Sequence, residues 1–303
     1  MRVVAFFLLS SIGLVVGCSA VSDTSVFGTG GEGGGGPGSG GGGAASSSST
    51  GIDISVGAGG GGGGGGSGTG GSDLIAEVYG HSPGELYRLD PTSKEVTVVG
   101  SFQGCSGVID IALDKDSNLY GTTSFGIYKI DKATAVCSLI ASGGYPNSLS
   151  FVPKGTVDPN VEALVGYNDS AYIRIDTVTG AITQLGGKLP PGYSSSGDIV
   201  SVINGPTYLT VVGSGCGDCI FEIDPTTGTM IKNWGPLGYG AVYGLAFWAG
   251  AAYGFSDGGD LFEVKFANNA VTTTDISIPG APSNLQFWGA GSTTSAPPVE
   301  VPE

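Results

Sequence analysis

The chain of 303 residues is poor in charge and in histidine. Charged residues make up 12% of it, about half the usual share. The 11 Lys and Arg are scattered singly against 26 Asp and Glu, and nucleic acid and anionic lipid headgroups need clustered cations. Neither is therefore an expected partner.

The single histidine, His81, is expected in a hairpin loop with Ser82–Gly84. One histidine cannot build a histidine-based zinc site. A hydrolytic triad would also have to use His81, and no Ser lies in a Gly-x-Ser-x-Gly elbow. The sequence therefore argues against both kinds of active site.

Helical periodicity is also missing, since no stretch of ten residues repeats its apolar side chains at helical spacing. The sequence instead repeats a short alternating strand that runs into an Asp-x-x-Thr-Gly turn, clearest at Ile220–Gly228. Successive copies of its anchoring residue are 41, 45, 48 and 41 residues apart, at Asp90, Asp131, Asp176, Asp224 and Lys265. This spacing is typical of the blades of a β-propeller.

Each repeat contains four short strands with turn residues between them. The segment Leu74–Gly80 matches the second strand of a repeat, whereas Asn284–Trp288 matches a first strand without successors. Pairing of the last strand with the first hairpin would close the ring and leave no long sheet edge unpaired. We therefore predict an all-β, five-bladed β-propeller over residues 73–289.

The recurrent turn has a structural explanation. Its Asp carboxylate can accept backbone N–H groups, and its Gly can adopt a positive φ. We therefore assign these Asp residues to structure rather than to catalysis. An aromatic register within the repeated strand is expected to pack between blades, and its members are Tyr87, Tyr128, Phe221 and Phe262.

The N-terminus has the features of a secretion signal. One Arg precedes the apolar run Val3–Val16, which is too short for a comfortable membrane span. The run ends in Val15-Val16-Gly17-Cys18, which resembles the bacterial lipobox. The resemblance implies that residues 1–17 are removed and that Cys18 carries the lipid. The alternative is an ordinary signal peptide with a chance Cys.

Residues 18–72 are rich in Gly and Ser and are expected to be a disordered tether, as is the tail 290–303. A flexible coil of about 50 residues has a reach of roughly 40 Å. Two or three acyl chains would hold the protein stably on a membrane. Ser19 after the Cys favours the outer membrane of the bacterial cell envelope.

Four cysteines remain after Cys18. An even number in an exported chain predicts disulfides. Cys216 and Cys219 have redox spacing but lead into a strand, and thiol activation normally uses a helix N-terminus, so a structural disulfide is expected. Elimination leaves Cys105 with Cys137, although the blade pattern places these two on opposite faces, and that pairing stays open.

At one equivalent position in each predicted innermost strand the residue is polar or small. These residues are Asp110, Ser148, Asp198, Gly244 and Asn284. Innermost strands line the channel of a propeller. Asp110, Asp198 and Asn284 could therefore supply oxygen ligands for Ca²⁺. The alternative is a polar channel that holds only water.

The strand–turn–strand Asp110–Gly121 resembles repeats of NHL and gluconolactonase-like propellers, and the phrase Leu86–Pro91 resembles repeats of uncharacterised secreted propellers. The resemblance implies the fold and says little of function. We expect a membrane-anchored surface or periplasmic lipoprotein that presents its propeller as a binding or structural module. We expect it to be a monomer with a protein or glycan ligand. The alternative is a metal-dependent hydrolase or lyase that uses the central channel.

Overall fold

Five four-stranded antiparallel sheets surround a central axis in the computed structural model, which describes residues 76–299. The predicted five-bladed β-propeller is confirmed. The predicted signal peptide, Cys18 and the predicted tether lie outside the described residues. Within the described part of the chain, no helix is long and apolar enough to cross a membrane.

The strands of each blade follow one another along the chain, except in blade 1, whose innermost strand is the last of the chain. Blade 1 contains β1 (Val78–His81), β2 (Glu85–Leu89), β3 (Val96–Ser101) and β20 (Gly289–Ser292). Blade 2 contains β4 (Val108–Leu113), β5 (Leu119–Thr123), β6 (Gly126–Ile130) and β7 (Cys137–Ser142). Blade 3 contains β8 (Leu149–Val152), β9 (Ala163–Asn168), β10 (Ala171–Ile175) and β11 (Ile182–Lys188). Blade 4 contains β12 (Tyr193–Ser201), β13 (Thr207–Gly213), β14 (Cys216–Ile223) and β15 (Met230–Pro236), and blade 5 contains β16 (Val242–Trp248), β17 (Ala251–Ser256), β18 (Leu261–Ala267) and β19 (Ala270–Ile276).

Burial falls from the axis to the rim of each blade. The innermost strands β8 and β20 are buried along their whole length, whereas the outermost strands β11 and β19 are mostly exposed or half-buried. Inner strands are covered on both faces by the neighbouring blades, so their side chains need not alternate between apolar and polar. The innermost strands contact one another in the ring order β20, β4, β8, β12, β16 and back to β20.

The ring closes where β20 pairs with β1, and His81 lies opposite Gly289. The sequence placed this closing strand at Asn284–Trp288, but Asn284 lies in an exposed turn and the strand begins at Gly289. The reason is space, because a Cβ on Gly291 would lie 3.1 Å from the carbonyl oxygen of Ile111 in blade 2. Small residues can therefore occupy this strand, whereas the larger side chains just before it cannot.

The chain stays packed beyond β20, where the sequence predicted a disordered tail from Ala290. Thr293 and Ala296 are buried. The carbonyl oxygen of Thr294 accepts a hydrogen bond of 2.8 Å from the backbone N–H of Ile203 in blade 4. The buried part of the propeller therefore reaches Ala296.

The recurrent turns have the predicted hydrogen bonds. Asp176 Oδ1 accepts the backbone N–H groups of Val178 and Thr179 at 3.0 and 2.7 Å, and Gly180 has a φ of 70°. The predicted aromatic register is buried at Tyr87, Phe221 and Phe262, and Tyr128 is half-buried.

Both predicted disulfides are present, Cys105–Cys137 and Cys216–Cys219. The expectation that Cys105 and Cys137 lie on opposite faces is wrong. The connection from blade 1 to blade 2 runs beside the outermost strand β7, since Gln103 and Val136 form a parallel bridge. This path brings the two cysteines together.

Candidate functional site

The five innermost strands contribute one residue each to a ring around the axis. Asp110, Ser148, Asp198 and Gly244 directly precede Ile111, Leu149, Ile199 and Leu245, as the sequence predicted. The fifth member is Gly289, not Asn284, because β20 begins five residues later than expected. The ring therefore contains two carboxyl groups, one hydroxyl group and two glycines.

Asp198 joins three strands through backbone N–H groups. Its Oδ1 accepts the N–H of Ile199 at 2.6 Å, and its Oδ2 accepts the N–H of Leu245 in blade 5 at 2.6 Å. The N–H of Ala290 in blade 1 also favours its ionised form. The Asp198 carboxylate is thus a link between neighbouring blades.

Asp110 and Asp198 are both fully buried and lie close enough to influence each other's ionisation. Burial raises the pKa of Asp110 well above its ordinary value, and the charge of Asp198 raises it further. Burial also raises the pKa of Asp198, although the N–H groups of Leu245 and Ile199 oppose that shift. These donors favour the charge on Asp198, so we assign the proton of the pair to Asp110.

His81 belongs to this buried centre and not to a hairpin loop, as the sequence suggested. It is the last residue of β1, and its Nδ1 lies 2.9 Å from the carbonyl oxygen of Ser82. Burial lowers the pKa of His81 to about 4, so its imidazole is neutral at pH 7. Since Nδ1 donates its proton to that carbonyl, Nε2 is left as an acceptor.

The free acceptor of His81 faces Asp110 across Gly289. A Cβ on Gly289 would lie 2.4 Å from His81 Nε2 and 2.6 Å from Asp110 Oδ1. Within residues 76–299, neither His81 Nε2 nor Asp110 Oδ2 has a hydrogen-bond partner. The carboxyl group of Asp110 and the imidazole of His81 therefore both lie beside Gly289.

The sequence contained a signal for this position of His81. Tyr79-Gly80-His81 matches Tyr120-Gly121-Thr122 of the next repeat, and Thr122 is likewise fully buried. Reading His81 with that repeat would have placed it on the second strand of a blade, facing inward.

The three residues proposed as Ca²⁺ ligands do not come together. Asp110 and Asp198 meet at the axis, whereas Asn284 is in an exposed turn. Asp110 Oδ1 and both oxygens of Asp198 already accept backbone N–H groups, so few carboxylate lone pairs are left for a cation. No group of three His, Cys, Asp or Glu is placed to hold a metal in the described part of the chain. The residues that the structure describes therefore do not match the gluconolactonase-like metal site.

A pocket of about 300 Å³ lies at the mouth of the axis, above the buried ring. It is lined by Ile109, Asn147, Gly197, Tyr243, Asp257 and Trp288. Five of these residues directly precede the ring residues, one in each blade, and Asp257 follows strand β17. We call this the mouth pocket.

Trp288 is held firmly in the wall of the mouth pocket. Its Nε1 donates to Asp257 Oδ1 at 2.8 Å, and its backbone N–H donates to the carbonyl oxygen of His81 at 2.7 Å. The side chain nevertheless remains 37% exposed. Tyr243 and Ile109 come from the two neighbouring blades, and the exposed Asn147 comes from blade 3 across the axis.

No family model matches the chain, and no curated protein matches it. Among solved structures, hydrazine synthase from Kuenenia stuttgartiensis is 12% identical with a TM-score of 0.38, over 63% of this chain and 59% of its own. A nidogen/laminin complex is 10% identical with a TM-score of 0.46, over 73% and 99% of the two chains. Virginiamycin B lyase from Staphylococcus aureus is 17% identical with a TM-score of 0.37, over 65% and 64%. The chain spans less than two thirds of the synthase and of the lyase, and these identities carry nothing about activity.

Proposed function

We propose that this protein is a lipid-anchored lipoprotein of the bacterial cell envelope that presents its propeller as a binding module. Its ligand enters the mouth pocket. The observation that carries the proposal is the construction of that pocket, which takes one residue from each blade and has an exposed, fixed Trp288 in its wall.

Binding suits this geometry better than acid–base catalysis does. The titrating groups beneath the mouth pocket, His81, Asp110 and Asp198, are fully buried, and both carboxyl groups are engaged with backbone N–H groups. A general acid or base must reach the reacting group directly or through one water. These groups instead stabilise the floor of the pocket.

The anchor is proposed from the sequence. The lipobox-like Val15-Val16-Gly17-Cys18 would provide the lipid, and residues 18–72 would let the propeller move away from the outer membrane. The net charge of −15 means that the propeller itself would not adhere to an anionic membrane surface. A single propeller per lipid is enough for this function, so we propose a monomer.

The anchor is tested by replacing Cys18. Because the thiol is the site of acylation, Cys18→Ala should shift the protein from the membrane fraction to the soluble fraction. Cell fractionation followed by immunoblotting measures this, with Cys18→Ala compared with the wild type. An unchanged membrane fraction would contradict the lipoprotein proposal.

Binding at the mouth pocket is tested without assuming the class of ligand. A ligand that binds only the folded protein raises its Tm. A low-molecular-mass extract of the bacterial envelope should therefore raise the Tm of the wild type but not that of Asn147→Ala. An equal shift in both proteins would place the binding site elsewhere.

A further inference from the structure

We propose that the mouth pocket binds an uncharged saccharide, with a sugar ring against Trp288. This inference rests on the proposed function, because it names the ligand class of the same pocket. Three properties of the pocket lead to it, namely an aromatic wall, hydrogen-bonding groups that have no partner among residues 76–299, and a lack of positive charge.

The aromatic wall consists of Trp288 and Tyr243, which come from neighbouring blades, with Ile109 on the other side of Trp288. Two hydrogen bonds fix Trp288, so little side-chain entropy is lost when a ligand packs on it. The C–H groups on one face of a sugar ring pack well on an aromatic face.

Asn147, Asp257 and the Tyr243 hydroxyl supply the polar contacts. In the part of the chain that the structure describes, no hydrogen bond is formed by the Asn147 amide or by the Tyr243 hydroxyl. Asp257 lines the pocket and uses Oδ1 for Trp288, which leaves Oδ2 as an acceptor. An amide both donates and accepts, and neighbouring sugar hydroxyls do the same.

Charge separates this ligand class from two others. No Lys, Arg or His lines the mouth pocket, so an anion would meet only Asp257 there. A quaternary ammonium head group would suit the aromatic rings, but that head group has no hydrogen-bond donor or acceptor for Asn147 or Tyr243. An uncharged polyhydroxyl ring can pack on the aromatic wall and also hydrogen-bond to the polar groups of the pocket.

The volume of the pocket limits the size of the ligand. About 300 Å³ lies at the low end of small-molecule sites, which span roughly 300–1,000 Å³. One or two sugar rings fit such a space. The terminal unit of a longer glycan therefore suits the pocket better than an internal segment of that glycan.

The test uses the full chain purified in detergent and a fixed set of probes. The probes are glucose, galactose, N-acetylglucosamine, cellobiose, lactose and chitobiose, with choline chloride as the cationic probe. Calorimetry should show saturable millimolar binding of at least one saccharide and none of choline. Trp288→Ala and Asn147→Ala should each weaken that binding at least about tenfold.

A matched control is available in blade 4. Trp234 Nε1 donates to Glu222 Oε2 at 3.0 Å, which repeats the indole–carboxylate pair of the mouth pocket on an outer strand. Trp234→Ala should leave saccharide binding unchanged. Asn147→Ala removes an exposed side chain, so it keeps the test valid if Trp288→Ala fails to fold.

Three results would overturn the inference. They are no saturable binding of any saccharide probe, saccharide binding that neither mouth substitution changes, and saturable choline binding that Trp288→Ala removes. The third would leave the mouth pocket as a binding site and change only its ligand class. Failure of the lipid anchor is detected separately by the fractionation of Cys18→Ala.

Discussion

Asp110 and Asp198 have the same side chain and almost the same depth, yet their surroundings give them different roles. Three backbone N–H groups, those of Ile199, Leu245 and Ala290, favour the charge on Asp198, whereas only two, those of Ile111 and Leu149, favour it on Asp110. A carboxylate suits the first environment and a protonated carboxyl suits the second. At the residue scale, the axis of this propeller is therefore asymmetric.

This asymmetry predicts opposite effects of the same substitution at pH 7. Asp110→Asn keeps an oxygen for the Ile111 N–H and removes a carboxyl group whose ionisation is opposed by burial and by Asp198, so it should preserve or raise the Tm. Asp198→Asn places an N–H donor against a backbone N–H and should cost about 1–3 kcal/mol. Thermal unfolding of the two variants measures the difference. Equal losses would contradict the assignment of the proton to Asp110.

His81 predicts a pH dependence of stability on the acid side. Its folded pKa of about 4 is below the ordinary 6.5, so the unfolded chain binds the proton more readily. The contribution of neutral His81 to the free energy of unfolding is fully present above pH 6.5 and is lost as the pH falls toward 4. The total loss is about 3 kcal/mol. Urea unfolding between pH 7 and pH 5 checks this.

The experiment on His81 is best done in the Asp110→Asn protein. The raised pKa of Asp110 has the opposite sign, since its penalty grows as the pH rises above 3.8. Removing that carboxyl takes away one opposing contribution, and the raised pKa of Asp198 acts in both proteins of the comparison below. The double variant Asp110→Asn/His81→Asn should lose less stability between pH 7 and pH 5 than Asp110→Asn does. If the two proteins lose the same amount, groups other than His81 cause the loss.

At the scale of elements, the Asp-x-x-Thr-Gly turn is a joint between blades as well as a local turn. The turn of blade 4 packs on blade 3, where Tyr172 Oη donates to the carbonyl oxygen of Pro225 at 2.7 Å and Tyr167 Oη donates to that of Gly228 at 2.6 Å. The turn of blade 3 packs on blade 2, where Tyr145 Oη donates to the carbonyl oxygen of Gly180 at 2.8 Å. The repeat thus joins neighbouring sheets.

This contact between blades predicts that Gly228 stabilises the fold for two reasons. Its φ is 69°, and a Cβ would lie 2.2 Å from Tyr172 Cγ, so Gly228→Ala should cost about 2–5 kcal/mol from strain and overpacking together. Gly238 has a φ of 82° with open space around it, so Gly238→Ala should cost only the backbone strain of about 1–2 kcal/mol. Chemical unfolding compares them, and equal costs would mean that the turn does not press on Tyr172.

At the scale of the whole molecule, the ring depends on residues that are more than two hundred positions apart in sequence. Strand β20 pairs with β1 and also contacts the innermost strands of blades 2 and 5. The backbone N–H of Phe247 in blade 5 donates to Ser292 Oγ at 3.0 Å. Loss of β20 would therefore open one blade and expose the edges of two others.

Ring closure predicts a sharp dependence on where the chain ends. A chain that stops at Trp288 lacks β20 and should not unfold cooperatively, whereas one that stops at Pro298 keeps the buried Ala296 and should match the full chain. Circular dichroism during heating distinguishes them. A normal transition in the shorter chain would show that β20 is dispensable for closure.

The sequence by itself determined the class of fold, because the period of the repeat and its turn residues are local properties. Asp90, Asp131, Asp176 and Asp224 mark the blades whatever surrounds them, since each carboxylate binds N–H groups of its own turn. The even number of cysteines after Cys18 likewise predicted two disulfides, both of which are present.

Only the tertiary structure decided what meets at the axis. The closing strand could not be read from apolar side chains, because crowding around Gly289 and Gly291 selects small residues there. Asn284 was therefore misplaced, and His81 was missed because its burial depends on a strand that joins it from the other end of the chain. The mouth pocket has the same origin, since its lining residues come from all five blades and become neighbours only when the ring closes.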